Sequence, residues 1–432
     1  MKDTLKAMKA FAVFLLFSFS AGAEIRVMTL KQVIATALEQ NPDVVLARLD
    51  RQKARAQVII AHDPFVPKIF AGSGAAWTYG FPSSIDGNAP SVLQAKTQMS
   101  IFDRPQSYVV AQANEAARGA DVDVSLKQDE AAYRVASLFL DAEQASRSLA
   151  AVQREIENLA RVKELVDARV NEGRELQIES KKANLSVLRT RLRSEGLASE
   201  LMNAETGLAL ALGFGAEDRV RASTDERAAL EAPVSEEASI EKALEESREL
   251  RKLESNLQIK TLEIKSFQAQ RLPKINLVAQ YSLLAKYNNF QNYFQRFSRN
   301  NVELGASFEI PLLAGRAHEA YATQSEADAA KIRVEVSRTR NRISSDLRRA
   351  YQDLRRADSS REVARADLDL AREQLSIDLA QFDEGRTPLA KVEASRATEN
   401  EKWLAYYDAQ HTAEIARLNV LRQTGTLVAT LR

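Results

Sequence analysis

Residues 131–170 read AAYRVASLFLDAEQASRSLAAVQREIENLARVKELVDARV. Stepped alternately by four and three, this stretch gives Ala131, Val135, Leu138, Ala142, Ala145, Leu149, Val152, Ile156, Leu159, Lys163, Val166 and Val170. Eleven of the twelve are apolar, the spacing of a coiled-coil seam. Adding 212 to each number gives Ile343, Leu347, Ala350, Leu354, Ala357, Arg361, Ala364, Leu368, Ala371, Leu375, Asp378 and Phe382. Ten of these are apolar, so the seam is repeated. No proline falls from Gln106 to Ala232 or from Leu312 to Thr387. The pattern predicts helices over about 106–171 and 315–383, each roughly 100 Å long at about 1.5 Å per residue. Each reaches a Glu-Gly-Arg tripeptide: Glu172-Gly173-Arg174 and Glu384-Gly385-Arg386. Glycine is the natural left-handed residue after a helix. Helices then return over about 175–212 and 387–424. Leu185, Leu188 and Leu192 are expected to begin the stripe that faces the outgoing helix.

The repeat extends outward from these rods. Ile34-x-x-Ala37-Leu38-Glu39 matches Ile240-x-x-Ala243-Leu244-Glu245 at an offset of 206, and Pro67-Lys68-Ile69 matches Pro273-Lys274-Ile275 at the same offset. Further on the offset is 212: Val122-x-Val124-Ser125 matches Val334-x-Val336-Ser337, and Gly213 matches Gly425. Two copies of one unit therefore make up the chain. The expected order is a first repeat over 24–213, a partly helical linker over 214–238 and a second repeat over 239–432. Each repeat should open with a helix, about 29–61 and 239–269. Segments of period two follow, so the prediction is four strands, about 68–78, 92–102, 274–285 and 302–310. In the second and fourth, Leu93, Ala95, Thr97, Met99 and Ile101, and Leu304, Ala306, Phe308 and Ile310, fall on one face. Gln94, Lys96, Gln98, Glu303 and Glu309 fall on the other. Tyr281, Tyr287, Phe290, Tyr293, Phe294 and Phe297 fall within 17 residues, at the end of the third strand and beyond it. They read either as an interfacial aromatic girdle or as a satellite core under a long loop.

The N-terminus has Lys2, Lys6 and Lys9, an apolar run from Phe11 to Phe19, and Ala21-Gly22-Ala23. This is the form of a signal peptide over 1–23, cleaved after Ala23. No later stretch is long and apolar enough for a membrane-spanning helix. The chain has 60 Lys+Arg and 59 Asp+Glu. That balance argues against nucleic-acid binding, which needs a basic excess. Cysteine is absent, which removes disulfides, Cys-ligated metals and lipid attachment at an N-terminal Cys. The three histidines, His62, His318 and His411, are scattered, and no phosphate loop or nucleophile elbow is present. The residues give no reason to expect an enzyme, a cofactor or a metal.

Four amphipathic strands cannot close a membrane barrel, and an open edge is not tolerated in lipid. A shared barrel continued by the long helices would make a conduit. The chain resembles the TolC family of outer-membrane efflux proteins. The resemblance rests on the Ile34-x-x-Ala37-Leu38-x-x-Asn41-Pro42 opening, the Leu272-Pro273-Lys274-Ile275 strand entry, the Pro311-Leu312-Leu313-Ala314-Gly315-Arg316 strand exit, the tandem repeat and the two tips. It implies a mainly α fold in which long helical hairpins form a periplasmic α-barrel. The four strands would add to a trimeric twelve-stranded outer-membrane β-barrel. It implies a homotrimeric channel-tunnel in the cell outer membrane, exporting small molecules or proteins with a periplasmic adaptor and an inner-membrane pump or secretion ATPase. The tips Glu172, Gly173, Arg174, Glu384, Gly385 and Arg386 would dock the adaptor. The family often has an acidic residue six positions after the tip glycine, lining a periplasmic gate. Glu179 holds that place in the first repeat. Lys391 holds it in the second, a departure, with Glu393 nearby. The alternatives are a non-pore periplasmic coiled-coil adaptor, which should carry a lipoyl-like module, and a structural envelope protein.

Overall fold

A computed structural model describes residues 25–74, 91–223, 230–285, 298–312 and 315–431. The signal segment, the loop over 80–90 and the aromatics Tyr287, Phe290, Tyr293, Phe294 and Phe297 lie outside them. The chain divides into two compact units. One takes the chain up to Val45 with Lys127–Glu246 and Arg342–Arg432, and the other takes Leu46–Leu126 and Ser247–Asn341.

The first repeat runs β1 (Ile25–Met28), α1 (Leu30–Gln40), α2 (Pro42–His62), β2 (Lys68–Gly72), β3 (Ser91–Phe102), α3 (Arg104–Asn171) and α4 (Gln177–Ala211). After β4 (Arg219–Ala222), the second runs α5 (Glu236–Glu246), α6 (Arg248–Gln268), β5 (Lys274–Leu284), β6 (Asn300–Glu309), α7 (Ala317–Asp383), α8 (Leu389–Gln423) and α9 (Leu427–Leu431). Each single opening helix expected from the pattern is in fact two. Asn41 has an extended ψ of 130° and Pro42 follows it. The proline ring disfavours helix in the residue before it and suits the first position of the next helix. Asn41 is buried. Its Oδ1 accepts from the Asp43 N–H at 3.0 Å, and its Nδ2 donates to the Ala211 carbonyl at 2.7 Å. At the same repeat position, 206 residues on, Ser247 breaks the second helix and caps α6 by accepting from the Leu250 N–H.

The first unit has its core where α1, α3, α4, α8 and α9 meet. Val33, Ile34, Ala37, Val135, Phe139, Leu208, Leu418 and Leu427 are nearly inaccessible there. The linker holds an unexpected strand: β4 pairs in parallel with β1, Ile25 opposite Arg219 through Met28 opposite Ala222. The buried Glu205 of α4 receives the Arg221 Nε–H at 2.9 Å. Tyr351 of α7 donates to the Pro233 carbonyl at 2.9 Å and lies 2.7 Å from Ser239 of α5. None of the twenty-four seam positions is exposed. One expectation is corrected. Leu185, Leu188 and Leu192 are 46, 52 and 71 % exposed, and Val187 at 4 % is the buried one. At 3.6 residues per turn the three leucines fall about 100–160° round the helix from Val187, so their stripe lies away from the buried side of α4.

In the second unit α6 packs on α3 through serines. Ser255 donates to the Glu115 carbonyl and Ser266 to the Pro105 carbonyl, both at 3.1 Å. Gly119 permits this approach, since a Cβ there would sit 3.2 Å from the Ser255 hydroxyl. The sheet order is β2-β3-β5-β6, every pair antiparallel. Register sorts its faces, because directly opposed residues share a face. One row runs Ile69, Thr97, Ala279, Leu304 and the next Ala71, Ala95, Tyr281, Val302. The opposite face carries Lys96, Gln280 and Glu303, then Gln94, Ser282 and Asn301. Phe70, opposite Lys96, and Val278, opposite Gln98, are apolar residues on that side.

Candidate functional site: two matching hairpin tips and the groove behind them

The tips are built alike. Gly173 has φ +70° and Gly385 φ +72°, values that cost an L side chain strain. At the first tip Gly173 N–H donates to the Val170 carbonyl at 3.0 Å and Arg174 N–H to the Arg169 carbonyl at 2.8 Å. At the second, Gly385 N–H reaches Phe382 at 2.9 Å and Arg386 N–H reaches Gln381 at 2.8 Å. Both are Schellman closures, which satisfy the last helix carbonyls. Arg174 pairs with Glu172 at 3.2 Å and Arg386 with Glu384 at 3.1 Å, all four side chains exposed. A Cβ on either glycine would meet nothing within 4 Å. The two tips therefore present the same backbone turn and the same charge pair to the outside.

Behind them, Glu179 and Glu393 line one groove of about 480 Å³ together with Glu175, Lys182, Leu159 and Val166. Glu179 is ion-paired with Lys182 at 2.8 Å. Glu393 is held above its ordinary pKa by burial, partly offset by Arg396, and its Oε1 has no hydrogen bond. Lys391, the departure from the acidic pattern, lies 2.9 Å from Asp378 Oδ1. Asp378 also accepts from Ser395 at 2.6 Å and Gln374 at 3.1 Å. Those hydrogen bonds, Ser395's the largest, together with the Lys391 charge bring its carboxyl down to about 2. So the groove gathers Glu179 and Glu393 from different repeats, and the lysine serves a buried aspartate instead. Asp378 is visible in the sequence as a break in the apolar seam; what it bonds to is not.

Among the described residues no cluster of metal-ligating side chains is present, and no helix is long and apolar enough to cross a membrane.

No curated protein sequence matches the chain. Solved structures do. A membrane protein from Pseudomonas aeruginosa superposes with a TM-score of 0.76 at 17% identity, covering 92% of each chain. The CmeC outer membrane channel of Campylobacter jejuni gives 0.77 at 14% identity, covering 92% of this chain and 85% of its own. The outer membrane protein VceC of Vibrio cholerae gives 0.73 at 15% identity, covering 92% and 96%. At these identities the likeness is one of fold. The family model described as outer membrane efflux protein matches residues 33–214 and 239–426, one match per repeat. With both repeats matched, the chain belongs to the outer membrane efflux protein family.

Proposed function

We propose that three copies of this chain close a shared barrel of twelve strands, four from each, and form an efflux channel-tunnel. The carrying observation is the open sheet. It has four antiparallel strands with β2 and β6 at its edges. One face bears Leu304, Phe308, Val302 and Ile69 at 62–78 % exposure. An unpaired strand edge is not stable in lipid, and four strands are too few to close a barrel. Pairing β2 of one copy with β6 of the next removes both edges. The apolar row then faces lipid and the Lys96, Gln280, Glu303 row faces a water-filled lumen. The outward leucine stripe of α4 supplies apolar surface for a neighbouring copy. The paired tips would take the helices of a periplasmic adaptor that links the channel to an inner-membrane pump. Glu179 and Glu393 would set the charge near the periplasmic mouth.

The test is made on protein extracted from outer membranes in detergent. Its mass should be that of three chains, and it should conduct ions in a planar bilayer. Single cysteines at 303 and 304 sort the faces: a lipid-soluble maleimide should label 304, and a water-soluble one 303. Labelling in the reverse sense, or a monomer without conductance, overturns the reading. Leu304→Arg should cost assembly about 2–4 kcal/mol per copy if the site lies near mid-bilayer.

A further inference from the structure

Glu155 on α3 is only 8 % exposed. No hydrogen bond or ion pair reaches it from the described residues. Burial, and then the charge of Glu393, push its pKa up; Arg396 opposes and Glu399 adds to the rise. Its counterpart 212 residues on is Asp367, which receives the Lys402 ammonium at 2.6 Å. The residue that answers to Lys402 in the first repeat is Thr190. The first repeat thus has the acid without the cation.

The surroundings are suited to replacing it. Glu155 lines a cavity of about 250 Å³ with Arg154, Asn158, Glu399, Trp403 and Tyr407. The Trp403 and Tyr407 rings are 5.5 Å apart and tilted by 34°. The Arg372 guanidinium lies 5.5 Å over the Trp403 ring and 4.0 Å from Glu399, so this indole already accepts a cation. Trp403 Nε1 donates to Glu399 at 3.3 Å, which engages that carboxylate. Arg154 turns its Nε–H to the Ala150 carbonyl, and Arg396 sits 3.7 Å from Glu393. Glu155 and Glu393 thus share the one Arg396 charge, and of the two it is Glu155 that lines this cavity. A buried carboxylate without a partner is costly. Aromatic faces beside a carboxylate are the chemistry that recognises quaternary ammonium groups.

We propose that this cavity binds a small organic cation, its ammonium group against Glu155 and its alkyl groups against Trp403 and Tyr407. The site bridges α3 and α8, one helix from each repeat, and does not rest on the channel reading.

Trp403 is one of two tryptophans, so Trp77→Phe makes it the sole indole reporter. The full chain in that background, in detergent at neutral pH, is titrated with choline and with 3,3-dimethylbutan-1-ol, its uncharged isostere. Choline should give a saturable change in fluorescence and bind at least tenfold tighter than the alcohol. Glu155→Gln should abolish that difference, and Tyr407→Leu should weaken choline while leaving Glu155 in place. The Glu155→Gln change removes a buried charge, so that variant is expected to fold; should it fail to, the Tyr407→Leu variant and the choline-to-alcohol ratio decide. No saturable choline signal, or equal affinity for the two probes in the parent protein, overturns the site.

Discussion

Asp378 shows how one residue can break a pattern and stabilise the fold. It occupies a seam position of α7 where the period calls for an apolar side chain, and it is 1 % exposed. Ser395, Lys391 and Gln374 stabilise its charged form, so it titrates at about 2 instead of 3.8. A carboxylate whose pKa falls on folding adds stability above its unfolded value and loses it as pH drops through the folded one. The second hairpin should therefore weaken between about pH 4 and pH 2, and Asp378→Asn should flatten that part of the profile while lowering stability at neutral pH. Thermal unfolding from pH 2 to 7, followed by circular dichroism on wild type and variant, measures both. A variant with the wild-type slope below pH 4 would remove Asp378 from the acid response. The sequence displays Asp378 as an interruption, much as it displays Lys163 in the first seam. It does not show the partners, because Lys391 and Ser395 lie beyond the Glu384-Gly385-Arg386 turn and meet Asp378 only once the hairpin has closed.

Among the elements, helix endings divide into those written locally and those set by tertiary contact. Gly173, Gly213, Gly385 and Gly425 all have φ between +70° and +85°. All four close their helices with the same pair of backbone bonds. Three have open space where a Cβ would go, but at Gly213 it would stand 2.8 Å from the Gln40 carbonyl oxygen at the end of α1. Gly385→Ala and Gly425→Ala should each cost about 1 kcal/mol, the penalty of a left-handed alanine. Gly213→Ala should cost clearly more, since backbone must shift as well. Denaturant unfolding of the three variants orders them, and equal midpoints would show that the α1–α4 contact yields freely. These glycines are legible because a turn tripeptide sits at the end of a long apolar period. The long rods, the three longer strands of the sheet and its two faces are legible for the same reason: period and length are properties of contiguous residues. The first strand, expected over about 68–78, is strand only to Gly72 among the described residues. The break at Ser247 escapes the pattern, since one polar residue hardly disturbs an amphipathic helix period. The break at Asn41 is signalled by Pro42, which periodicity alone does not register. The β1–β4 pair is hidden more deeply. Each strand is four residues long, and the partners are separated by nearly the whole first repeat.

At the scale of the molecule, the repeat makes most features occur twice, and departures between the copies carry information. Asp367 has its lysine and Glu155 does not; Lys391 stands where Glu179 would be repeated. The tips, by contrast, are kept identical in turn, charge and exposure. Exposed Glu–Arg pairs contribute little to stability, and the Schellman closures need only the glycine and the backbone. Nothing in the helical hairpin itself therefore requires arginine at 174 and 386. An adaptor surface would. Reversing both charges, Arg174→Glu with Arg386→Glu, should leave the amount of protein and its assembly in the outer membrane unchanged, because the hydrogen bonds that end α3 and α7 are made by main-chain groups. Export should fall to the level of a strain lacking the protein. The measurement pairs an efflux assay with cross-linking of the adaptor to cysteines placed at 172 and 384. Loss of both signals at normal abundance supports the tips as the docking surface. Normal export and normal cross-linking by the double variant would mean that the arginines are ordinary solvated residues, and that the likeness of the two tips reflects only how the two hairpins are closed.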